Sequence, residues 1–373
     1  MKTVLVTGSE GFIGKNLVEA LKRRNDVRLL FFDLGVNEDR LAEFLLTADV
    51  VYHLAGVNRP PDPADHAKVN TGLTATITRT LQDAGRLPLL ALSSSTQAAL
   101  DNPYGQSKSK AEEVVEGFAR ESGAPVRIFR LPGVFGKWCR PNYNSVVATF
   151  CSNIANGLPI SVSDPEKELR LVYVDDVVSA FLALLEEEPW KPGCERRSVH
   201  PEFCTTLGAL VEKIVGFKAI RETLRLPDES DRFTRCLHAT FLSYLPRDGF
   251  SYALAQKVDA RGELAELLKS EQFGQIFVSR TRPGITRGNH FHHSKIEKFC
   301  VIDGDAVIRF RHIREKEIVE YKVSGRDFKV VDIPPGYTHS IENVGQQDLI
   351  VLFWSNQVFD PLHPDTTAAE VKA

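Results

Sequence analysis

The chain has 373 residues, 46 basic against 49 acidic, for a formal net charge of −3. That balance leaves no electrostatic footprint for nucleic acid or another polyanion. No apolar run approaches the roughly 18 residues of a membrane span, and the six cysteines are scattered without a Cys-x-x-Cys pair. Such thiols read as reduced and cytosolic rather than as a disulfide framework. The length predicts two domains. The N-terminus enters a strand within three residues with no signal-peptide pattern, so a cytoplasmic protein is expected.

In chain order, Thr3-Val4-Leu5-Val6 predicts a short buried strand. It runs into Thr7-Gly8-Ser9-Glu10-Gly11-Phe12-Ile13-Gly14 and then a helix carrying Leu17 and Leu21. A glycine turn between strand and helix lets backbone N–H groups approach a pyrophosphate at the helix N-terminus. A second strand, Val27 to Phe32, ends at Asp33, 19 residues after Gly14. An acid at this offset accepts hydrogen bonds from the adenosine ribose. It favours NAD and repels a 2′-phosphate, and no arginine follows directly. Asp49 to Gly56 predicts a further strand, where small Ala55 and Gly56 allow close approach of a cofactor beside Leu54. His53 reads as a packing and loop-bonding residue, not a catalytic one.

Leu89 to Ser95 predicts a buried strand with a hydroxyl-rich end. Tyr104 follows nine residues after Ser95, and Lys108 four residues after Tyr104, so both share one helical face. The ammonium of Lys108 is expected to lower the phenol pKa and bind the nicotinamide ribose. Tyr104 could then pass a proton to or from a carbonyl oxygen that Ser95 also hydrogen-bonds. The short loop between serine and tyrosine leaves the choice among Ser94, Ser95 and Thr96 open. Lys137 to Asn144 offers cations, an aromatic face and amides, a set suited to a nucleotide diphosphate. Lys137, Arg140 and Asn142 are the candidates there, and a solvated loop is the alternative. Leu207 to Val215 suggests an amphipathic helix. Asp248-Gly249-Phe250 is a plausible seam. Beyond it, short alternating strands (275–279, 306–310, 349–353) separated by turns at 303–305 and 334–336 predict a barrel or jelly roll.

Within that barrel, Gly284, His290, His292, Glu297 and Gly304 form one skeleton, and Pro334 to Asn343 adds His339. Histidines at i and i+2 on a strand share a face. A returning strand can bring Glu297 beside them. Three imidazoles and a carboxylate suit one zinc ion, with iron, manganese and nickel as competitors. The alternative is a barrel whose histidines line a polar pocket or act directly on protons. Alternation turns His293 outward and allows Tyr337 to face the same cavity.

These two stretches resemble the paired motifs of the cupins. They depart at position 328, where the pattern expects glycine and Phe328 stands. The Gly-x-x-Gly-x-x-Gly turn, the serine strand and Tyr-x-x-x-Lys resemble the extended short-chain dehydrogenase/reductases. In that family Asn70 would brace the active-site strand, and Arg170, in Arg170-Leu-Val-Tyr-Val-Asp-Asp176, would contact the diphosphate of a sugar nucleotide. Asp259-Ala-Arg-Gly262 resembles the opening of cupins that epimerise nucleotide sugars. The whole chain is similar to the bifunctional capsular-polysaccharide enzymes that join such a reductase to such a cupin.

The resemblance implies an α/β Rossmann-type, doubly wound parallel-sheet domain over residues 1–248. An all-β cupin (jelly-roll) barrel would then follow over 249–373. It implies epimerisation at C3 of a UDP-4-keto-2-acetamido-2,6-dideoxyhexose by the cupin. Reduction at C4 by the first domain would yield UDP-2-acetamido-2,6-dideoxy-β-L-talose, on the route to UDP-N-acetyl-L-fucosamine. The family habit implies NADP(H), whereas Asp33 favours NAD(H). A homodimer through the cupin is expected from fold analogy. A single-activity reductase with a dimerising, metal-stabilised cupin remains an alternative, as does an epimerase that retains its NAD.

Overall fold

The computed structural model describes residues 1–60, 62 and 65–372. The chain packs into two compact units, one formed by 1–215 with 236–246, the other by 216–235 with 247–373.

The first unit is built on a parallel sheet. Its strands are β1 (Lys2–Thr7), β2 (Val27–Phe32), β3 (Val50–His53), β4 (Leu89–Ser95), β5 (Pro125–Leu131) and, further along, an edge strand Gly193–Arg197. In space the order is β2-β1-β3-β4-β5 and then that edge strand. After β2 the chain crosses through α2 (Glu38–Thr47) straight to the far side of β1. The strand order therefore reverses between β1 and β3, the place where open α/β sheets bind ligands.

Alternation along β1 fixes both faces of the sheet. Val4 and Val6 pack with Leu17, Val18 and Leu21 of α1 (Phe12–Leu21), whereas Leu5 packs with Leu41 and Leu45 of α2. That second face also holds Ile77 of α3 (Leu73–Asp83) and Val115 of α4 (Pro103–Ser122). Each fully buried aliphatic side chain contributes about 1.5–3 kcal/mol relative to exposure. The long helix α4 begins on the side chain of Asn102, which accepts from Gly105 N, with Pro103 in the first turn, and ends at Gly123 with φ +75°.

Beyond β5, the short strand β6 (Gly133–Phe135), helix α5 (Val146–Ala155), β7 (Glu168–Tyr173) and α6 (Val174–Ala183) lead to the edge strand β8, Gly193–Arg197. Then come β9 (Phe203–Thr206), α7 (Leu207–Thr223) and α8 (Arg232–Leu242). Strands β6, β7 and β9 form a small separate sheet.

The second unit is antiparallel throughout its strand ladders. One sheet runs β10 (Gln256–Asp259), β11 (Gly262–Ser270), β12 (Gly274–Thr281), β19 (Leu349–Ser355), β14 (Glu297–Asp303) and β17 (Val330–Ile333). The other runs β16 (Ile318–Ser324), β15 (Asp305–His312), β18 (Tyr337–Asn343), β13 (Thr286–Phe291) and β20 (Thr367–Ala368). Their inner faces meet in one apolar core, including Phe299, Val301, Ile308, Phe310, Ile341, Val351 and Phe353. This is the expected jelly-roll arrangement, with inward and outward side chains alternating along each strand. Residues 224–226 join this unit as well. Leu226 N donates to Lys269 O, and Lys269 N to Leu224 O.

Candidate active sites

In the first unit, the turn after β1 requires its glycines. A Cβ on Gly14 would lie 2.0 Å from Gly8 O, and Gly8 itself has φ +71° with Ala55 N in the way of any Cβ. Helix α1 starts without a side-chain cap and without an acid in its first turn. Its free N–H groups and the positive end of its dipole suit an anionic pyrophosphate. Phe12 and Ile13 open that helix, and Leu54, Ala55 and Gly56 follow β3 across the turn. Asp33, at the end of β2, accepts from Ser9 Oγ and from Glu10 N at 3.0 Å. The glycine loop thus holds the carboxylate in place.

His53 is fully enclosed between Thr7 Oγ1 at 2.8 Å and Thr74 Oγ1 at 2.9 Å. Burial pushes its pKa down to about 3, so it is a neutral structural bridge between β1 and α3. Asn70 lies in a π-helical turn, His66–Gly72, just before α3. Its side chain bonds Val57 N at 2.8 Å, Val57 O at 3.0 Å and Ser107 Oγ at 2.9 Å, tying the loop after β3 to α4.

The three hydroxyls at the end of β4 divide by direction. Ser94 Oγ donates to Glu112 in the interior, while Ser95 hydrogen-bonds Tyr104 and also accepts from Gln97 N. Of the open choices, Ser95 is the one facing the tyrosine. Lys108 Nζ donates to Ser93 O at 2.9 Å, and a Cβ on Gly56 would stand 3.2 Å from it. Burial brings the Lys108 pKa down to about 8, against an opposing pull from Glu112. Burial likewise pushes Tyr104 up to about 12, although its bond from Ser95 works the other way. The expected lowering of the Tyr104 pKa by Lys108 is therefore not seen in this state. Desolvation is the larger effect here.

Sequence reasoning passed over two residues in this site. Tyr143 accepts from Arg59 N at 3.2 Å, and its charge would oppose ionisation of Tyr104. Glu112 is buried and accepts a two-pronged bond from Arg130, which anchors α4 to β5. Tyr143 lies within the 137–144 stretch without having been singled out there, and Glu112 lies in no recognisable motif.

The substrate candidates fall on one loop and its neighbour. Lys137 pairs with Asp175 at 2.6 Å and lies over the Trp138 ring. Arg140 stacks on Tyr143 with 5.3 Å to the ring centroid. Asn142 has φ +54°, and its N–H donates to Thr149 Oγ1. Arg170 is exposed on β7, beside β6 in the small sheet.

In the second unit, His290, His292, Glu297 and His339 converge, with one ligand atom from each within 4.8 Å of the others. His290 and His339 face each other across β13 and β18, with ring centroids 4.6 Å apart. The register shifts just before His290, where Gly288 has φ +99° and Asn289 φ +58°. This bulge re-aims the strand as it reaches the cluster. Glu297 Oε2 lies 3.4 Å from His292 Nε2 and 3.6 Å from His339 Nε2.

Those two nitrogens are buried with no hydrogen-bond partner. A buried polar atom left unpaired costs about 1–3 kcal/mol, so the arrangement calls for a ligand. Burial raises the Glu297 carboxyl, and the contacts from His292 and His339 outweigh it to hold the group well below its ordinary range. Burial lowers His290 to about 4, helped by His339 and His292. Three imidazoles with one carboxylate are the donor chemistry of a divalent transition metal. His293 is exposed and packs on Phe291, as alternation requires. Tyr337 is half-buried, edge-on to His312 at 5.0 Å. Phe328 takes φ +40° where the cupin pattern has glycine.

Comparison with known proteins agrees with both halves. Residues 4–193 match the NAD dependent epimerase/dehydratase family, and residues 257–367 match the polysaccharide biosynthesis C-terminal domain. The chain is 41% identical over 368 residues to a UDP-2-acetamido-2,6-beta-L-arabino-hexul-4-ose reductase of Pseudomonas aeruginosa, covering 99% of this chain and 98% of the relative. The crystal structure of the capsular polysaccharide assembling protein CapF from Staphylococcus aureus superposes with a TM-score of 0.90 at 44% identity, over 99% of this chain and 100% of that one. The UDP-glucuronic acid 4-epimerase of Bacillus cereus shares the fold of the first part, with a TM-score of 0.53 at 18% identity over 58% of this chain and 83% of that one. The chain belongs to the CapF-type family, in which an NAD dependent epimerase/dehydratase domain is followed by a polysaccharide biosynthesis C-terminal domain.

Proposed function

We propose that the chain is an NAD(P)-dependent nucleotide-sugar reductase of polysaccharide synthesis with a second, epimerising centre in its cupin. The observation that carries this reading is the separation of two chemistries. Ser95, Tyr104 and Lys108 lie wholly in the first unit, and the three-histidine, one-glutamate cluster lies wholly in the second. The substrate is a UDP-4-keto-2-acetamido-2,6-dideoxyhexose. The reductase name of the Pseudomonas relative supports that class.

The cofactor supplies a hydride for C4. Tyr104 donates its phenolic proton to the C4 oxygen, and Ser95 positions that oxygen by a hydrogen bond. Lys108 holds the nicotinamide ribose beside them. Lys137, Arg140, Asn142 and Arg170 hold the diphosphate and sugar. Gly8, Gly11, Phe12, Ile13 and Gly14 cradle the pyrophosphate, with Leu54, Ala55 and Gly56 against the cofactor. Asp33 takes the adenosine ribose hydroxyls and favours NADH, against the NADPH habit of the family.

In the cupin, His290, His292, Glu297 and His339 would hold one zinc ion, whose Lewis acidity would stabilise negative charge on the C4 oxygen. The 4-keto group already acidifies the C3 hydrogen. Its removal and return on the opposite face would invert C3 before reduction to the β-L-talose product. A cytoplasmic homodimer completes the proposal. Among the described residues, no helix is long and apolar enough to cross a membrane.

Product analysis by NMR with this ketosugar, with and without NADH or NADPH, tests the reading. A C3-inverted, C4-reduced product with cofactor and C3 exchange without it are expected. Reduction with no change at C3 would leave a single-activity reductase.

A further inference from the structure

We propose that the segment Pro364–Val371 is a working part of the metal centre, and that Asp365 is the positioning residue that presents His292 and Glu297 to the ion. This rests on the metal reading above. The contact that points to it is between His292 Nδ1 and Asp365 O, at 2.6 Å. A carbonyl oxygen can only accept, so Nδ1 carries the proton. In the neutral ring Nε2 then carries the lone pair, and it lies 3.4 Å from Glu297 Oε2, buried without a hydrogen-bond partner. One backbone carbonyl therefore selects the tautomer that can ligate a metal.

The side chain of Asp365 does a second job. Oδ1 accepts from His293 N at 2.9 Å, and Oδ2 accepts from Ser294 N, Ser294 Oγ and Lys295 N at 2.9, 2.9 and 2.8 Å. The carboxylate thus gathers three of the four residues between His292 and Glu297; the fourth, Ile296, donates its N–H to Asn356 Oδ1 instead. Lys295 is itself buried, with Nζ 3.2 Å from Thr366 Oγ1 and 3.9 Å from Glu297 Oε1. The segment also reaches the other two ligands. β20 pairs His290 with Ala368, and Thr338, next to His339, donates its hydroxyl to Ala369 O.

Asp365 holds φ +39°, a conformation costly for a residue with a Cβ. Such strain persists where surrounding contacts over-determine it, and here all of those contacts lead to metal-ligand segments. A segment that merely sealed the barrel would need neither the carbonyl on His292 nor the four-donor carboxylate.

The test uses the full chain, stripped of metal, with Asp365→Ala and Asp365→Asn. Zinc affinity is measured by competition with a chromophoric chelator, and ligand geometry by the visible spectrum of the cobalt-loaded protein. Reduction of a ketosugar by the first unit and the melting temperature of the metal-free protein serve as folding controls. Both substitutions leave the Asp365 carbonyl on His292 Nδ1 and change only the carboxylate that gathers residues 293–295. Loss of an outer contact that orients metal ligands typically weakens metal affinity about 10- to 100-fold. Asp365→Ala is expected to show that loss with an altered cobalt spectrum, and Asp365→Asn, which keeps an acceptor, to recover most of it. Unchanged zinc affinity in both variants, with a lowered melting temperature alone, would assign Asp365 to stability and overturn the proposal. A wild-type chain that takes up no metal would overturn the metal reading itself, and this inference with it.

Discussion

Replacing Asp33 with asparagine should move the enzyme from NADH towards NADPH. In the wild type, a 2′-phosphate would enter beside a carboxylate held by Ser9 Oγ and Glu10 N. Two unit charges 4 Å apart repel by about 1 kcal/mol in water and about 4 kcal/mol at an effective dielectric of 20. Asp33 is only partly buried, so the lower part of that range applies, roughly tenfold to a hundredfold in relative affinity. With NADH the same carboxylate would accept from the ribose hydroxyls, each such charged hydrogen bond contributing about 1.5–3 kcal/mol. Asparagine keeps an acceptor for the glycine loop, so the loop should survive the change. The assay is kcat/KM for NADH and NADPH, side by side, in both proteins at one ionic strength. The ratio should favour or equal NADH in the wild type and shift at least tenfold in Asp33→Asn. A strong wild-type preference for NADPH, unmoved by the substitution, would show that a cation from elsewhere in the fold sets the choice.

Lys108 titrates near pH 8 in the folded chain against 10.5 ordinarily. The unfolded chain therefore binds the extra proton between those values, and this group's contribution to stability rises with pH across that window. Reduction should do the opposite, losing kcat/KM as pH climbs through about 8 and the ammonium discharges, with Lys108→Arg erasing that limb of the profile. His339→Ala would remove one of the four proposed metal ligands outright. It should cost more zinc affinity than the roughly 10- to 100-fold of a supporting contact, read by elemental analysis and chelator competition; undiminished zinc content would remove His339 from the site. Phe328→Gly relieves a left-handed backbone worth about 1–2 kcal/mol of strain against about 1 kcal/mol of added chain entropy. Denaturant melts should show stability held or raised slightly, and a clear loss would mean the Phe328 ring contributes packing that outweighs the strain.

Much of both sites was legible because their chemistry is carried by short spacings. The glycine turn and the His290–His292–Glu297 run each lie within one strand–turn unit, and Tyr104 with Lys108 on one turn of α4, so local periodicity places their side chains. Ser95 was separable from Ser94 only once the buried Glu112 was located on α4, a contact with no local signature. Asp365 escaped for a similar reason. It lies in a segment without periodicity, and its contacts are with residues 292–295, about 70 positions back in the chain. The path of residues 216–235 into the second unit was equally hidden, because a bridge such as Arg225 to Lys269 leaves no pattern in either segment. Motif chemistry led to a lowered pKa for Tyr104, whereas burial, a tertiary property, raises it and exceeds the lowering by the Ser95 hydrogen bond.

The central claim is that two independent chemistries share this chain, and Tyr104→Phe in heavy water tests it most directly. The variant is loaded with zinc, given the UDP-4-keto-2-acetamido-2,6-dideoxyhexose and followed by NMR, with cofactor oxidation followed by absorbance. Loss of the phenolic proton donor should abolish cofactor oxidation, while deuterium still enters at C3. A folded, zinc-loaded Tyr104→Phe protein that has lost both reduction and C3 exchange would contradict the account.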